Sequence, residues 1–203
     1  MEVIEFEKHI QVNDLDGRSL AMCRTCWKEL LGKYLGYTVD FCFHNTEVPM
    51  AFMDEVGAMK LEACLELRLK SESFTMYGSI EACELNVDSF PFFAELHDAL
   101  NPDMYWNSSR IAEDPDRWFI RLYGTSYIMM SQRSDRPEIY ALACKDADEG
   151  SRLLSMAAVH AFSGSCNELL YMVDEGNEKL LSAAKHIGFA LCGFYSAYRG
   201  VVR

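Results

Sequence analysis

From Ser79 to the C-terminus the apolar residues switch repeatedly between strand alternation and helical spacing, and the order of those switches admits few folds. Ile80 to Leu85 reads as a strand. Asp88 or Ser89 caps a helix through Leu100 with Pro91 in its first turn, and Asn107 to Glu113 is a short second helix. Trp118 to Tyr123 and Ser126 to Met130 are adjacent strands around the turn Gly124-Thr125, and Pro137 opens the strand Glu138 to Cys144. Leu153, Leu154, Ala157, Ala158, Ala161 and Phe162 form one apolar face of a helix from about Asp148 to Phe162. Glu168 to Val173 is a strand. Asn177 begins a helix with Leu180, Leu181, Ala184 and Ile187 inward, Gly188 suits its C′ position, and Phe189 to Tyr198 is the last strand or half of a hairpin. The order is β-α-α-β-β-β-α-β-α-β over residues 79–203.

Residues 1–78 carry less pattern. Leu20, Cys23, Trp27, Leu30, Leu31 and Leu35 fall on one face of an amphipathic helix, Thr38 to Phe43 is a short strand, and Pro49 opens a brief helix to about Val56. From Met59 to Lys70 the odd positions are apolar or small, and the even ones are Lys60, Glu62, Cys64, Glu66, Arg68 and Lys70, the period of a half-buried strand. Ser71-Glu72-Ser73 reads as a turn, which predicts antiparallel pairing of that strand with Phe74 to Tyr77.

Charge and cysteine usage exclude several classes. With 31 acidic and 19 basic residues, a net of −12, the chain is unsuited to nucleic acid or to an anionic membrane surface, both of which need clustered Lys and Arg. The first residues, Met1-Glu2-Val3-Ile4-Glu5-Phe6-Glu7, carry acids where a signal peptide carries bases, and no apolar run approaches the roughly 18 residues of a spanning helix. The eight cysteines are scattered in a chain long enough to build a core without staples, so they read as reduced thiols and imply a cytoplasmic address. Cys23-Arg24-Thr25-Cys26 has CxxC spacing but no second pair of ligands, so no metal is expected and both read as small hydrophobes of a helix.

The order of elements, with Asn177 leading a helix that ends in Ile187-Gly188-Phe189, resembles the GCN5-related N-acetyltransferase (GNAT) superfamily. That resemblance implies an α/β (α+β) fold, a mixed twisted sheet flanked by helices, with an N-terminal helix-plus-strand extension. It divides the chain into an N-terminal region, 1–78, and an acyl-CoA acyltransferase-like domain, 79–203. The N-terminal region then either extends the main sheet or makes half of a second such unit. In the family the fourth strand splays from the fifth, the pantetheine arm of acetyl-CoA lies in the gap, and the pyrophosphate rests on amides at the head of the next helix. An anion at a helix N-terminus meets unpaired N–H groups and a positive dipole end. The resemblance makes Ile139 to Cys144 the splayed strand and places the donor, acetyl-CoA or another acyl-CoA, against Leu142, Ala143 and Cys144, with Gly150, Ser151, Arg152 and Asn177 as further contacts. The acceptor it implies is a small-molecule or peptide amine.

Two positions depart from the family pattern. Where a phosphate loop has an Arg or Gln followed by glycines, this chain has Asp146-Ala147-Asp148-Glu149-Gly150-Ser151-Arg152. Where many members place a tyrosine that protonates the departing thiolate, four residues before the Gly-Phe step, this chain has Ala184. Tyr195 and Tyr198 are the candidate proton donors, though tyrosines so placed are more often core or rim residues. His186 suits a helix C-terminus, and Cys144 reads as buried. Tyr105 and Trp106 are candidates to line an acceptor pocket, and Glu113-Asp114-Pro115-Asp116 either selects a cationic amine or is a solvated turn. The readings are an N-acetyltransferase working by direct attack, or a non-catalytic relative that uses the same groove for another ligand or partner.

Overall fold

In the computed structural model, all residues except 14, 16, 103, 133–135 and 165 are described. In chain order the elements are β1 (Glu2–Phe6), β2 (His9–Asn13), α1 (Leu20–Tyr34), β3 (Thr38–His44), α2 (Met50–Val56), β4 (Met59–Lys70), β5 (Cys83–Glu84), α3 (Phe90–Leu100) and α4 (Ser108–Glu113). They continue as β6 (Trp118–Tyr123), β7 (Ser126–Ser131), β8 (Glu138–Ala143), α5 (Ala147–Ser163), β9 (Glu168–Asp174), α6 (Glu178–His186) and β10 (Ala190–Val201). The class is mixed α/β, as the sequence implies. No helix among the described residues is long and apolar enough to cross a membrane.

The chain forms two compact units, Met1–Leu65 together with Gly193–Arg203, and Glu66–Cys192. In the first, β1 and β2 make an antiparallel hairpin, β2 runs parallel to β3, and β3 pairs antiparallel with β10. A parallel pair needs a crossover, and α1 supplies it. Ser19 caps α1 through its hydroxyl, which accepts from the Met22 amide, and the helix buries Cys23, Cys26, Leu30 and Tyr34 against a core that includes Phe41, Phe43 and Phe52. The CxxC cysteines are packing residues of that face; burial pushes the Cys23 thiol up.

In the second unit the strand order is β4-β9-β8-β7-β6-β5. β6, β7 and β8 form an antiparallel meander and β8 runs parallel to β9, joined over α5. α5 buries Leu153, Leu154, Ala157 and Ala158, the face the sequence marks. On the meander, Phe93 of α3 and Ile111 of α4 cover Ile120, Leu122, Tyr127 and Met129. α3 and α4 are clamped by the Asp98 carboxylate, which accepts from the Ser108 amide at 2.8 Å and from its hydroxyl. Burial works to raise the Asp98 carboxyl, but the two Ser108 hydrogen bonds outweigh it and hold the group below the ordinary carboxylate range.

Three segments differ from the sequence reading. Phe74 to Tyr77 is not a strand: the Thr75 amide goes to the Ile187 carbonyl at 3.0 Å and the Tyr77 amide to the Ser155 hydroxyl at 3.0 Å, so its donors are spent on helix ends and α5. Ile80 to Leu85 shrinks to Cys83–Glu84, paired with Leu122 and Arg121. The hairpin β1–β2 has no counterpart in that reading, because Glu2, Glu5 and Phe6 lie exposed and only Ile10 and Val12 are fully buried.

One connectivity occurs twice along the chain: antiparallel hairpin, helix, parallel strand, helix, strand. It runs β1-β2-α1-β3-α2-β4 at the start of the chain and β7-β8-α5-β9-α6-β10 at its end.

Gly188 closes α6 at φ +103°, and a Cβ there would stand 2.3 Å from the Ser73 carbonyl oxygen. Gly188→Ala is expected to cost about 1–3 kcal/mol, read by urea unfolding, since both the left-handed backbone and the contact oppose a side chain. Asp98→Asn is expected to lower stability at neutral pH. The deficit should shrink as pH falls through the depressed wild-type carboxyl pKa, where the Asp98 advantage disappears; unfolding followed against pH checks this.

Candidate ligand cleft

The site begins with an irregularity in β8. Met129 of β7 faces Ala141 and Met130 faces Ile139, so Tyr140 is an extra residue on β8, a bulge. A bulge bends its strand and sharpens the local twist. On the other side of β8 the ladder to β9 holds only at Glu138–Leu170 and Ile139–Tyr171, and stops where the bulge begins. Beyond it, Tyr140 to Lys145 and Tyr171 to Asp174 line opposite walls of a cleft of about 650 Å³. That volume lies within the range of small-molecule sites. Tyr140 is fixed from outside by Trp118, whose ring meets it edge-on at 5.4 Å.

The walls mix apolar and polar side chains, Asn101, Ser126, Asp174 and Lys179 among the latter. The Tyr171 side chain is 2% exposed and its hydroxyl has no hydrogen-bond partner in the structure, although it lines the cleft. Burial pushes this phenol well above its ordinary pKa, so it remains a donor. On the α3 side, Asn101 and Tyr127 line the cleft and His97 lies fully buried behind them. The His97 Nε2 is 2.8 Å from the Trp106 carbonyl, which only accepts, so Nε2 carries the proton and Nδ1 accepts from the Tyr127 hydroxyl at 2.8 Å. Tyr127 accepts in turn from the Asn101 amide at 2.9 Å, and burial raises its phenol to about 12. Burial likewise raises the Cys144 thiol, with Glu149 and Asp146 adding to the shift and Lys179 opposing it.

The head of α5 is occupied by its own carboxylates. Asp146 is the N-cap and accepts from the Glu149 amide at 2.9 Å. Glu149 reaches back to accept from the Lys145 amide at 2.9 Å and from the Ser126 hydroxyl. Asp148 accepts from the Tyr77 hydroxyl at 2.9 Å and pairs with Arg152 at 2.7 Å.

Leu142, Ala143, Cys144 and Asn177 are brought together along the cleft. Gly150 and Ser151 lie between α5 and α6: a Cβ on Gly150 would stand 3.0 Å from both Ala183 Cβ and Cys144 Sγ. Ser151 is fully buried, donates to the Ala147 carbonyl at 2.7 Å and lies 3.0 Å from His186 Nδ1. Asn177 caps α6, accepting from the Leu180 amide at 3.2 Å, and Lys179 donates to the Cys144 carbonyl at 2.6 Å from the next turn. His186 also stacks on Tyr77 at 5.2 Å.

Tyr195 and Tyr198 belong to the first unit and do not line the cleft. The Tyr195 hydroxyl donates to Cys42 Sγ at 3.1 Å, and Tyr198 packs edge-on against Phe43 in the core. Trp106 packs on Trp118, and Tyr105 lies exposed beneath the Arg110 guanidinium at 3.7 Å. The sequence reading did not single out His97, Asn101, Tyr127 or Tyr171. His97 and Asn101 are four apart on α3, and that spacing of two polar side chains on one helix face was the available signal.

No protein-family model and no curated protein matches the sequence. Among solved structures, the chain is similar to a GCN5-related N-acetyltransferase from Sphaerobacter thermophilus, at 12% identity over 100% of this chain and 76% of that one, with a TM-score of 0.68. It is similar to a GCN5-related N-acetyltransferase from Kribbella flavida, at 10% identity over 95% and 80% of the two chains, TM-score 0.56. A tandem GNAT protein from the clavulanic acid biosynthesis pathway matches at 9% identity over 97% and 76%, TM-score 0.57. The likeness is one of fold: the chain has the GNAT fold the sequence resembles.

Tyr127→Phe removes the donor to a fully buried imidazole nitrogen and should cost about 1–3 kcal/mol in urea unfolding. Its expected companion is a weakened seat for α3 on the meander, visible as faster amide exchange in α3.

Proposed function

We propose that the protein is an acyltransferase of the GNAT type, which takes an acyl group from a CoA-class thioester and passes it to an amine. The observation that supports this most directly is the parted β8–β9 ladder: two parallel strands that separate after Ile139 and Tyr171 leave a slot for a thin, extended arm. Backbone groups of β8 beyond Ile139 have no β9 partner in the ladder and face that slot, suited to the amides of such an arm. The Tyr171 hydroxyl adds a desolvated donor, which a ligand carbonyl would satisfy.

In the reaction the amine nitrogen forms a bond to the thioester carbonyl carbon, the C–S bond breaks, and its electron pair leaves with sulfur. The amine loses one proton and the thiolate gains one. Ala184 offers no acid, so the thiolate takes its proton from solvent or from the attacking nitrogen, which sheds one as the amide forms. The work of the chain is then to position the two reactants, a contribution worth several kcal/mol when both are held in line. A cationic amine suits a chain of net charge −12, and the acidic stretch Glu113 to Asp116 is largely exposed near the end of α4. The cysteines, scattered rather than framed in pairs, suit a reducing, cytoplasmic setting.

A second reading, binding without transfer, is favoured by the carboxylates that cap α5 where the family holds its pyrophosphate. One experiment separates the two. Acetyl-CoA at 100 times its dissociation constant should add about 2.7 kcal/mol of stability, seen as a thermal shift. Ala143→Trp, which fills the cleft, should abolish it. Thiol release in the presence of amines establishes transfer, a shift without release establishes the binding reading, and no shift with millimolar acetyl-CoA or S-acetylpantetheine overturns both.

A further inference from the structure

The cleft and the head of α5 carry opposite messages about an acyl donor. The walls from Tyr140 to Cys144 and from Tyr171 to Val173 are largely apolar, with one orphan hydroxyl, and suit a neutral arm with amides. At the helix head, by contrast, the Glu149 and Lys145 amides already donate to Asp146 and Glu149 carboxylates. Any pyrophosphate placed there would displace those carboxylates and then face them. The Gly150 backbone is held against Cys144 and Ala183, and Arg152 is paired to Asp148. Of the cations that line the cleft, Lys179 is turned to the Cys144 carbonyl, and the backbone amide of Lys145 donates to the Glu149 carboxylate.

We infer that the donor is recognised through its pantetheine-type arm alone, so that the substrate class is an acyl-pantetheine thioester, free or carried as a prosthetic arm on a protein, rather than a nucleotide-bearing acyl-CoA. This rests on the transferase or binding reading of the same cleft. The transfer itself is unchanged: the C–S bond of the arm breaks, the amide C–N bond forms, and the free arm thiol leaves with the proton the amine gives up.

The test measures dissociation constants of the full-length protein for S-acetylpantetheine, for acetyl-CoA and for a carrier protein bearing an acetylated phosphopantetheine arm, by calorimetry. The inference expects S-acetylpantetheine to bind within about threefold of acetyl-CoA or more tightly, since a head group that makes no favourable contact adds no affinity. A carrier-borne arm that binds more tightly still identifies a protein source, and one that binds more weakly identifies the free thioester; both keep the class. Acetyl-CoA binding more than about threefold tighter than S-acetylpantetheine overturns the inference while leaving the proposed function standing. Failure of all probes to bind overturns both. Glu149→Gln keeps a hydrogen-bond acceptor for the Lys145 amide and removes one charge. It should tighten acetyl-CoA several-fold and leave S-acetylpantetheine unchanged, and an equal response of the two ligands, or none, counts against the inference.

Discussion

The extra residue in β8 governs everything that makes the second unit a candidate binding protein. A parallel ladder gains a regular series of hydrogen bonds for every residue it extends, so two adjacent strands part only when something bends one of them. Tyr140 does this, seated against Trp118, while β8 stays paired with β7 on either side of the shift. The first unit provides the comparison. There β2 and β3 are joined by the same kind of crossover, no bulge interrupts the β1–β2 register, and the parallel ladder runs through four consecutive pairs from His9–Thr38 to Val12–Phe41. The same connectivity yields a closed pair in one unit and an open slot in the other.

The cleft and the head of the helix that follows it respond to different forces. Opening β8 from β9 strands backbone groups and a buried phenol that a polar guest would satisfy. At the head of α5 the Asp146 and Glu149 carboxylates accept from the Glu149 and Lys145 amides, a reciprocal capping arrangement that stabilises a helix N-terminus. Helix stability and anion binding compete for the same N–H groups, and here the chain spends them on its own stability. Gly150 and Ser151 follow suit: their small size lets α5 approach α6, where Ser151 lies beside Ala183 and His186.

Much of the second unit was legible because its elements are long, periodic and punctuated. Asn177 before Leu180 and Leu181, Gly188 after Ile187, and the Gly124-Thr125 turn each mark an end by a local mechanism, and the structure follows them. Phe74 to Tyr77 was misread because an apolar tetrapeptide after a turn has no way to announce that its amides will pair with Ile187 and Ser155, far away in sequence. The splay was expected from resemblance alone; its cause, a bulge at Tyr140, depends on register between strands, which no single strand encodes. Similarly, Asn101, His97 and Tyr127 become a network only when α3 lies on β7. Composition and spacing see neighbours along the chain, not across it.

The division of the chain has a consequence for its birth on the ribosome. The second unit is one uninterrupted segment, Glu66–Cys192, whereas the first lacks most of β10 until that whole segment has been made. Until then β3, buried along most of its length in the finished protein, presents a bare hydrogen-bonding edge of apolar residues. The nascent Met1–Leu65 segment must therefore wait, shielded or only loosely compact, until Gly193–Arg203 has been made and Arg199 meets Asp40.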